Sequence, residues 1–285
     1  MLVRDTERFR EANIRADVLP LGSGALAGSP YPLDREFVAS ELGFSQTSEN
    51  SMDAVADRDF FLDFLYAAAT TMMHLSRLAE EMVIWSTEEF DFVRFADDYT
   101  TGSSIMPQKR NPDFAELARG RTGRTYGHLM ALLTVLKGLP LTYNRDLQED
   151  KESLFDTVDT LLATLNAFAG MVETLRFNAD RMRHAAEGGG YLLATDLADY
   201  LVFHGLPFRQ AYNVLANLTR YAQAQGKGFG DLTLKEYQGF SPLFEADVFQ
   251  VTLESALNSR DVPGGTAPKQ VARALQKARK WIEDG

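Results

Sequence analysis

The sequence predicts an all-α protein in which a bundle of long helices is followed by a small helical domain. Apolar residues recur every three or four positions over long stretches, few windows alternate with period two, and clusters of β-branched residues are scarce. The chain has 285 residues, 45% hydrophobic and 24% charged, which is ordinary globular composition. One large domain and one smaller domain fit this length.

Apolar spacing predicts three long helices in the first part of the chain. One covers residues 2–16 and has no capping residue or turn before it, so the chain is expected to start inside a helix. A second covers residues 60–85, and a third contains the apolar run 154–172. Asp146 lies three residues before Glu149, which is typical of a capping box at the start of the third helix.

A fourth long helix is predicted to begin at the sequence Asn-Pro-Asp. Asn111 is expected to be the N-cap, with Pro112 in the first turn, because these residue types are favoured there. The helix is expected to end near Lys137, because Gly138 follows directly.

A run of three glycines gives the best internal boundary. Glycine continues a helix only at a cost, so Glu187 to Gly190 divides the chain into residues 1–186, the helical bundle, and residues 187–285, the small helical domain. Shorter helices are expected in the second domain, separated by turns at 205–207, 226–230 and 263–265.

The charge and the lack of cysteine exclude several classes of function. The net charge of −11 argues against binding to nucleic acid or to anionic lipid. With no cysteine, disulfides, thiolate catalysis and cysteine-bound zinc are impossible, and a reducing cytoplasm is the expected location. The sequence has no cluster typical of metal ligands, no signal peptide pattern and no apolar stretch long enough to cross a bilayer. No cofactor is expected.

The segment Thr101 to Asp113, TGSSIMPQKRNPD, is the strongest candidate for a catalytic or binding site. It combines two hydroxyls, a lysine and amide donors just before a predicted helix N-terminus, where free N–H groups favour an anion. A serine there could lose its proton more easily than in water. A well-capped surface loop has the same composition, and composition alone leaves both interpretations open.

GSSIMPQKRNP resembles the signature of the fumarase/aspartase superfamily, whose members eliminate fumarate from succinyl-type substrates. Its Gln-Lys-x-Asn-Pro form favours the argininosuccinate lyases and their relatives, the delta-crystallins. Four more segments resemble that family in the same order, namely ENSMDAVADRDF, LPLTYNRDLQEDKESLFD, ATDLADYLV and VPGGTAP. The resemblance covers essentially the whole chain.

The resemblance implies catalytic roles for residues of the signature segment. Ser103 is similar to the base that removes a proton from the carbon next to a carboxylate. Lys109 and Asn111 match residues that bind this carboxylate and stabilise its dianion. Glu116 matches the position that contacts a histidine from another segment.

The resemblance also implies a substrate-binding group elsewhere in the chain. Tyr143, Gln148 and Lys151 match positions that hold the polar ends of argininosuccinate, and Arg58 matches a position that lines the site. Family members need no metal or organic cofactor, and each of their sites is assembled from three subunits of a homotetramer.

The resemblance further implies that part of the family's fold is absent from this sequence. The family's substrate motif of the Ser-Arg-Asn type and its motif carrying the active-site histidine do not occur here. His74, His128 and His204 are expected to be structural. The sequence is therefore expected to correspond to the central and C-terminal parts of the enzyme.

Three functional interpretations remain open at this stage. The first is an argininosuccinate lyase whose site is completed by an N-terminal segment, either in a homotetramer or in a hetero-assembly. The second is a truncated, non-catalytic relative with a crystallin-like structural role or a regulatory role. The third is another fumarate-forming lyase, against which Tyr143, Gln148 and Lys151 argue.

A glycine-rich segment, Gly22 to Gly28, has a composition similar to that of a phosphate loop. No Gly-Lys-Ser/Thr follows it and no strand precedes it, so it is a weak candidate for a nucleotide site. The family resemblance implies that it is a loop near the substrate pocket.

Overall fold

The structure, a computed structural model, describes residues 1–188 and 191–284. Packing divides the chain into two compact units, residues 1–178 and 179–285. The predicted boundary segment, Glu187 to Gly190, includes Gly189 and Gly190, which lie outside the described residues. The division at residues 186 and 187 therefore stays a prediction.

The first unit is built on long helices. Its helices are α1 Leu2–Ala16, α2 Arg35–Leu42, α3 Ser51–Ala56, α4 Asp59–Trp85, α5 Asp113–Leu136 and α6 Asp150–Thr174. The periodicity that predicted a helix over residues 60–85 is thus confirmed to within one residue. The prediction for residues 154–172 is confirmed inside α6.

The core of this unit lies between α4, α5 and α6. Ala68, Met72 and Ala79 from α4 pack with Ala118 from α5 and Phe168 from α6. The buried core residues that α5 contributes are alanines, whose small side chains allow close contact with neighbouring helices. The buried Thr122 hydroxyl of α5 donates across this contact to the Met72 carbonyl oxygen at 3.1 Å.

Short strands connect the helices of the first unit as three two-stranded ladders. Strands β1 Val18–Leu19 and β2 Gln46–Thr47 pair in parallel. Two antiparallel pairs follow, β3 Val93–Arg94 with β6 Arg176–Phe177, and β4 Thr101–Gly102 with β5 Arg110–Asn111. Each strand has two residues, so the ladders fasten loops and the all-α fold class is confirmed.

Two of the predicted helix starts are wrong. Asn111 belongs to β5, where it pairs with Thr101, so α5 starts after Pro112 and has no side-chain cap. Asp146 and Glu149 form no capping box, because a 3-10 helix occupies Arg145–Glu149 and α6 starts directly after it. In both cases the chain before the helix has regular hydrogen bonding of its own.

The second unit contains shorter helices around its own core. They are α7 Ala179–Glu187, α8 Ala194–Phe203, α9 Phe208–Ala224, α10 Leu234–Gln238, α11 Leu253–Asn258 and α12 Pro268–Glu283. Leu201, Leu218, Phe229 and Phe244 are almost fully buried in that core. Turns separate these helices where the sequence predicted them, and Gly205 there has a φ of +92°.

Within the described ranges, no helix is both long enough and apolar enough to cross a membrane.

Candidate active site

The signature segment forms a hairpin that leads into α5. Strands β4 and β5 pair Gly102 with Arg110, and the Ser103 amide donates to the Lys109 carbonyl oxygen at 3.3 Å. The base of the hairpin is tied to α5, because the Thr101 hydroxyl donates to the Asp113 carboxylate. Residues 104–109 are exposed, and Ile105 at the tip is 86% exposed. The hairpin therefore presents its polar groups to solvent at one end of the bundle.

Ser103 lies where the hairpin starts, in a turn that surrounds its hydroxyl oxygen with donors. The backbone N–H groups of Ile105 and Met106 donate to the Ser103 Oγ at 3.2 and 3.1 Å. Hydrogen bonds of this kind stabilise negative charge on an oxygen. This geometry suits a serine that accepts a proton, and Ser103 is half-buried whereas Ser104 is exposed.

The other predicted residues of this segment lie at the root of the hairpin and in the first turns of α5. Lys109 directly opposes Ser103 across the hairpin, and Asn111 follows in β5. Glu116 lies on the exposed side of α5, where its carboxylate is 3.8 Å from the Arg119 guanidinium. The structure thus brings Ser103, Lys109 and Asn111 together at the entrance to α5.

Tyr99 packs against α5 and α6 just before the hairpin begins. It ends a 3-10 helix, Asp97–Tyr99, two residues before β4. Its ring packs edge to face on Phe114 of α5, with the ring centroids 5.5 Å apart, and its hydroxyl lies against Gly170 of α6. Sequence reasoning missed this residue.

A second group of predicted residues meets around one buried carboxylate. Asp150 is fully buried, and its two oxygens have different partners. The Arg58 Nε donates to Oδ2 at 2.6 Å, and the Lys151 Nζ donates to Oδ1 at 2.8 Å. Sequence reasoning named Arg58 and Lys151 but missed the Asp150 carboxylate that joins them.

Tyr143 and Gln148 belong to the exposed segment that leads to Lys151. Tyr143 is 48% exposed, and Gln148 lies in the 3-10 helix before α6. Thr142, directly before Tyr143, has a φ of +81°, a left-handed conformation that is strained for a β-branched residue. Such strain is often found at functional sites, where the surrounding structure maintains it.

The two groups lie at opposite ends of α5. The hairpin precedes Asp113, whereas the segment with Tyr143 follows Leu136, and the helix between them has 24 residues. At 1.5 Å per residue this helix is roughly 36 Å long. One copy of the chain therefore does not bring both groups around one small molecule.

Three of the four histidines are held away from the hairpin by contacts of their own. His74 is buried, with its Nδ1 2.7 Å from the Asp5 carboxylate. His128 Nε2 is 2.7 Å from the Asp156 carboxylate, and His204 Nδ1 is 2.8 Å from a backbone carbonyl oxygen of its own helix.

The glycine-rich segment is a loop closed by an arginine. Gly22, Gly24 and Gly28 all have positive φ, and the Arg35 guanidinium donates to the carbonyl oxygens of Leu21 and Ser48. A Cβ atom at Gly22 would meet the Arg35 side chain at 2.7 Å. A neighbouring cleft of about 500 Å³ is lined in part by Ser48 and by Arg58.

In the described part of the chain, no group of three or more acidic or histidine side chains is arranged to hold a metal.

Comparison with known proteins relates this fold to that of lyases. Residues 1–127 match the family described as Lyase, and residues 191–258 match the family described as Argininosuccinate lyase C-terminal. A solved structure of an EDDS lyase variant with bound fumarate has a TM-score of 0.87 and 28% identity, and the match covers 99% of this chain and 58% of that one.

Curated relatives define the family more narrowly. The argininosuccinate lyase of Dehalococcoides mccartyi is 63% identical, and the match covers 100% of this chain and 61% of that protein. The argininosuccinate lyase of Moorella thermoacetica is 56% identical, with 99% of this chain and 61% of that protein covered. The chain is similar to these argininosuccinate lyases along essentially its whole length, and it spans about three fifths of theirs.

Proposed function

We propose that this chain acts in a carbon–nitrogen lyase that eliminates fumarate from argininosuccinate and releases arginine. The observation that carries the proposal is the hairpin, in which Ser103 opposes Lys109 and its hydroxyl oxygen accepts two backbone N–H bonds. Similarity to the argininosuccinate lyases supports the choice of reaction.

In the proposed mechanism, the Ser103 oxygen takes a proton from the substrate carbon next to a carboxylate. This proton is weakly acidic, so most of the rate enhancement must come from stabilising the dianion that forms. The Lys109 ammonium and the Asn111 amide bind that carboxylate, close to the N-terminus of α5. The electron pair then forms the double bond of fumarate, and the carbon–nitrogen bond breaks.

The departing guanidinium nitrogen needs a proton from a general acid. None of the four histidines lies in a motif like the one that carries the family's active-site histidine, and His74, His128 and His204 are bonded elsewhere. We therefore propose that residues outside the 285 supply this acid, with Glu116 contacting it. We infer that the chain by itself forms fumarate poorly and that an N-terminal segment of the family completes the site.

The polar ends of argininosuccinate are proposed to bind Tyr143, Gln148, Lys151 and Arg58. Because this group lies roughly 36 Å from the hairpin along α5, the site needs residues from more than one copy of the chain. We therefore propose a homotetramer, or a hetero-assembly with the N-terminal segment, that works without a cofactor in the cytoplasm.

An apolar groove between α4 and α5 supports assembly. It has a volume of about 360 Å³ and is lined by residues that include Tyr66, Met73, Tyr126, Met130 and Leu133. Tyr66 is 53% exposed and Met130 is 64% exposed. Apolar side chains grouped in this way are typical of a surface that another protein covers.

Fumarate absorbance tests this proposal. We expect argininosuccinate to be cleaved only when the chain is combined with the N-terminal part of a relative such as the Dehalococcoides mccartyi enzyme. In that mixture Ser103→Ala should lower kcat by about 10²-fold or more, the usual loss for a general base. Ser104→Ala, the neighbouring hydroxyl, should have little effect, and an active Ser103→Ala variant would exclude Ser103 as the base.

The same assay separates the other two functions. A non-catalytic structural or regulatory relative would release no fumarate from argininosuccinate even in the complete mixture. A different fumarate-forming lyase would release fumarate from another succinyl-type amine in preference to argininosuccinate.

A further inference from the structure

The buried Asp150 carboxylate is the one feature of the Arg58–Lys151 group to which the proposed mechanism gives no role. Asp150 is the first residue of α6, and its side chain is 1% exposed. A buried carboxylate is costly unless it is paired with positive charge and fully hydrogen-bonded. Arg58 and Lys151 meet this requirement with one bond to each oxygen.

The two cations have different surroundings. The Arg58 side chain is 15% exposed, and its Nη1 also donates to the backbone carbonyl oxygen of Asp57 at 2.6 Å. The Lys151 side chain is 56% exposed, and its one bond to the described residues is to Asp150. Arg58 is thus anchored in the protein, whereas Lys151 directs its remaining N–H donors to solvent.

The position of Lys151 in its helix is unfavourable by itself. It is the second residue of α6, and the partial positive charge at a helix N-terminus repels a cation. Asp150 compensates with a negative charge that suits this end of the helix. Two acidic residues flank Lys151 in the sequence, Asp150 and Glu152, and the ammonium bonds to the buried one.

We propose that Asp150 is a positioning residue that fixes the Lys151 ammonium at the surface, where it binds an anionic group of the substrate. Arg58 holds the Asp150 carboxylate, and this carboxylate holds the Lys151 ammonium, so Asp150 links the two cations. The three groups carry a net charge of +1, which favours a carboxylate ligand. This inference rests on the proposed function for the identity of that ligand.

The first test measures the mobility of the Lys151 side chain without any ligand. In the full chain labelled with ¹³C at the lysine Cε, NMR relaxation should show a more ordered Lys151 than Lys137, an exposed lysine at the end of α5. Asp150→Asn should make Lys151 as mobile as Lys137, whereas Glu152→Gln should leave it ordered. If Lys151 is as mobile as Lys137 in the wild-type chain, the proposal is overturned, even if Asp150→Asn fails to fold.

The second test is kinetic and uses the complete mixture with argininosuccinate. Asp150→Asn removes the group that fixes the Lys151 ammonium. This variant should raise KM for argininosuccinate by about tenfold, with kcat changed much less. Glu152→Gln should leave both constants unchanged. A second combination is a wild-type mixture that releases no fumarate while the NMR order of the Lys151 side chain still depends on Asp150. That combination would exclude the proposed function and support the positioning role of Asp150. Normal catalysis with an unchanged KM in Asp150→Asn would overturn the positioning alone.

Discussion

Tyr99 places its hydroxyl group where a side chain at Gly170 would begin. A Cβ atom added to Gly170 would overlap the Tyr99 hydroxyl oxygen, so glycine is the residue that lets the tyrosine lie against α6. Tyr99 also packs on Phe114 and comes two residues before β4. This contact connects the last turns of α6 to the base of the signature hairpin.

Gly170→Ala should therefore destabilise the first unit and displace the hairpin. Overpacking at a rigid contact costs about 1–3 kcal/mol in the free energy of unfolding, although alanine is the better helix former. Gly123→Ala is the matched control, because a Cβ there has nothing within 4 Å and α5 should gain up to about 1 kcal/mol. Urea unfolding measures both changes. Equal stability of the two variants would contradict the packing of Tyr99.

The second unit should lose stability in acid through Glu236. Bonds from Lys227, Thr233 and Tyr221 lower the pKa of Glu236 from 4.5 to about 2. A carboxylate with a lowered pKa contributes stability above its ordinary pKa and loses it as the pH falls towards the folded-state value. Glu236→Gln should thus lower the melting temperature of this unit at pH 7, and the difference from wild type should shrink between about pH 4.5 and 2.

A matched control for this prediction is Glu283→Gln, near the end of α12 in the same unit. Glu283 is exposed, so its replacement should leave the pH profile of melting unchanged. A constant difference in melting temperature between wild type and Glu236→Gln from pH 7 to pH 2 would contradict the prediction. It would show that the ion pair of Glu236 with Lys227 does not control acid stability.

The groove between α4 and α5 should be covered by another copy. Met130→Glu places a charge in the groove, which is unfavourable in an apolar contact. We expect light scattering to show an oligomer for the wild-type chain and a smaller species for this variant, with unchanged helix content. Ile14→Glu on α1, also strongly exposed, should retain the oligomer. A monomeric wild-type chain would contradict the assembly that we propose.

The sequence was sufficient to predict the long helices, because their apolar periodicity is set by the helix itself. The end of α5 before Gly138 and the extent of α4 follow from such local signals. The start of α5 could not be predicted in the same way. Asn111 is a good N-cap by residue type, but its pairing with Thr101 across the hairpin, ten residues away, takes precedence.

The candidate site shows the same limit. The signature hairpin is one continuous segment, so its motif could be identified in the sequence. The role of Asp150 depends on Arg58, which is 92 residues away in the chain, and on burial that appears only in the folded bundle. The sequence did contain one local signal for this role. Asp150 directly precedes Lys151 in the first turn of α6, and an acidic residue in that position can pair with the lysine.

Mixing two inactive variants tests most directly whether the site is shared between copies. Ser103→Ala removes the base from one end of α5, and Lys151→Met removes the substrate-binding cation from the other. Refolded together with the complementing N-terminal segment, the two variants should release fumarate from argininosuccinate, because some sites receive Ser103 from one copy and Lys151 from another. Fumarate release no greater than that of each variant alone would contradict a shared site.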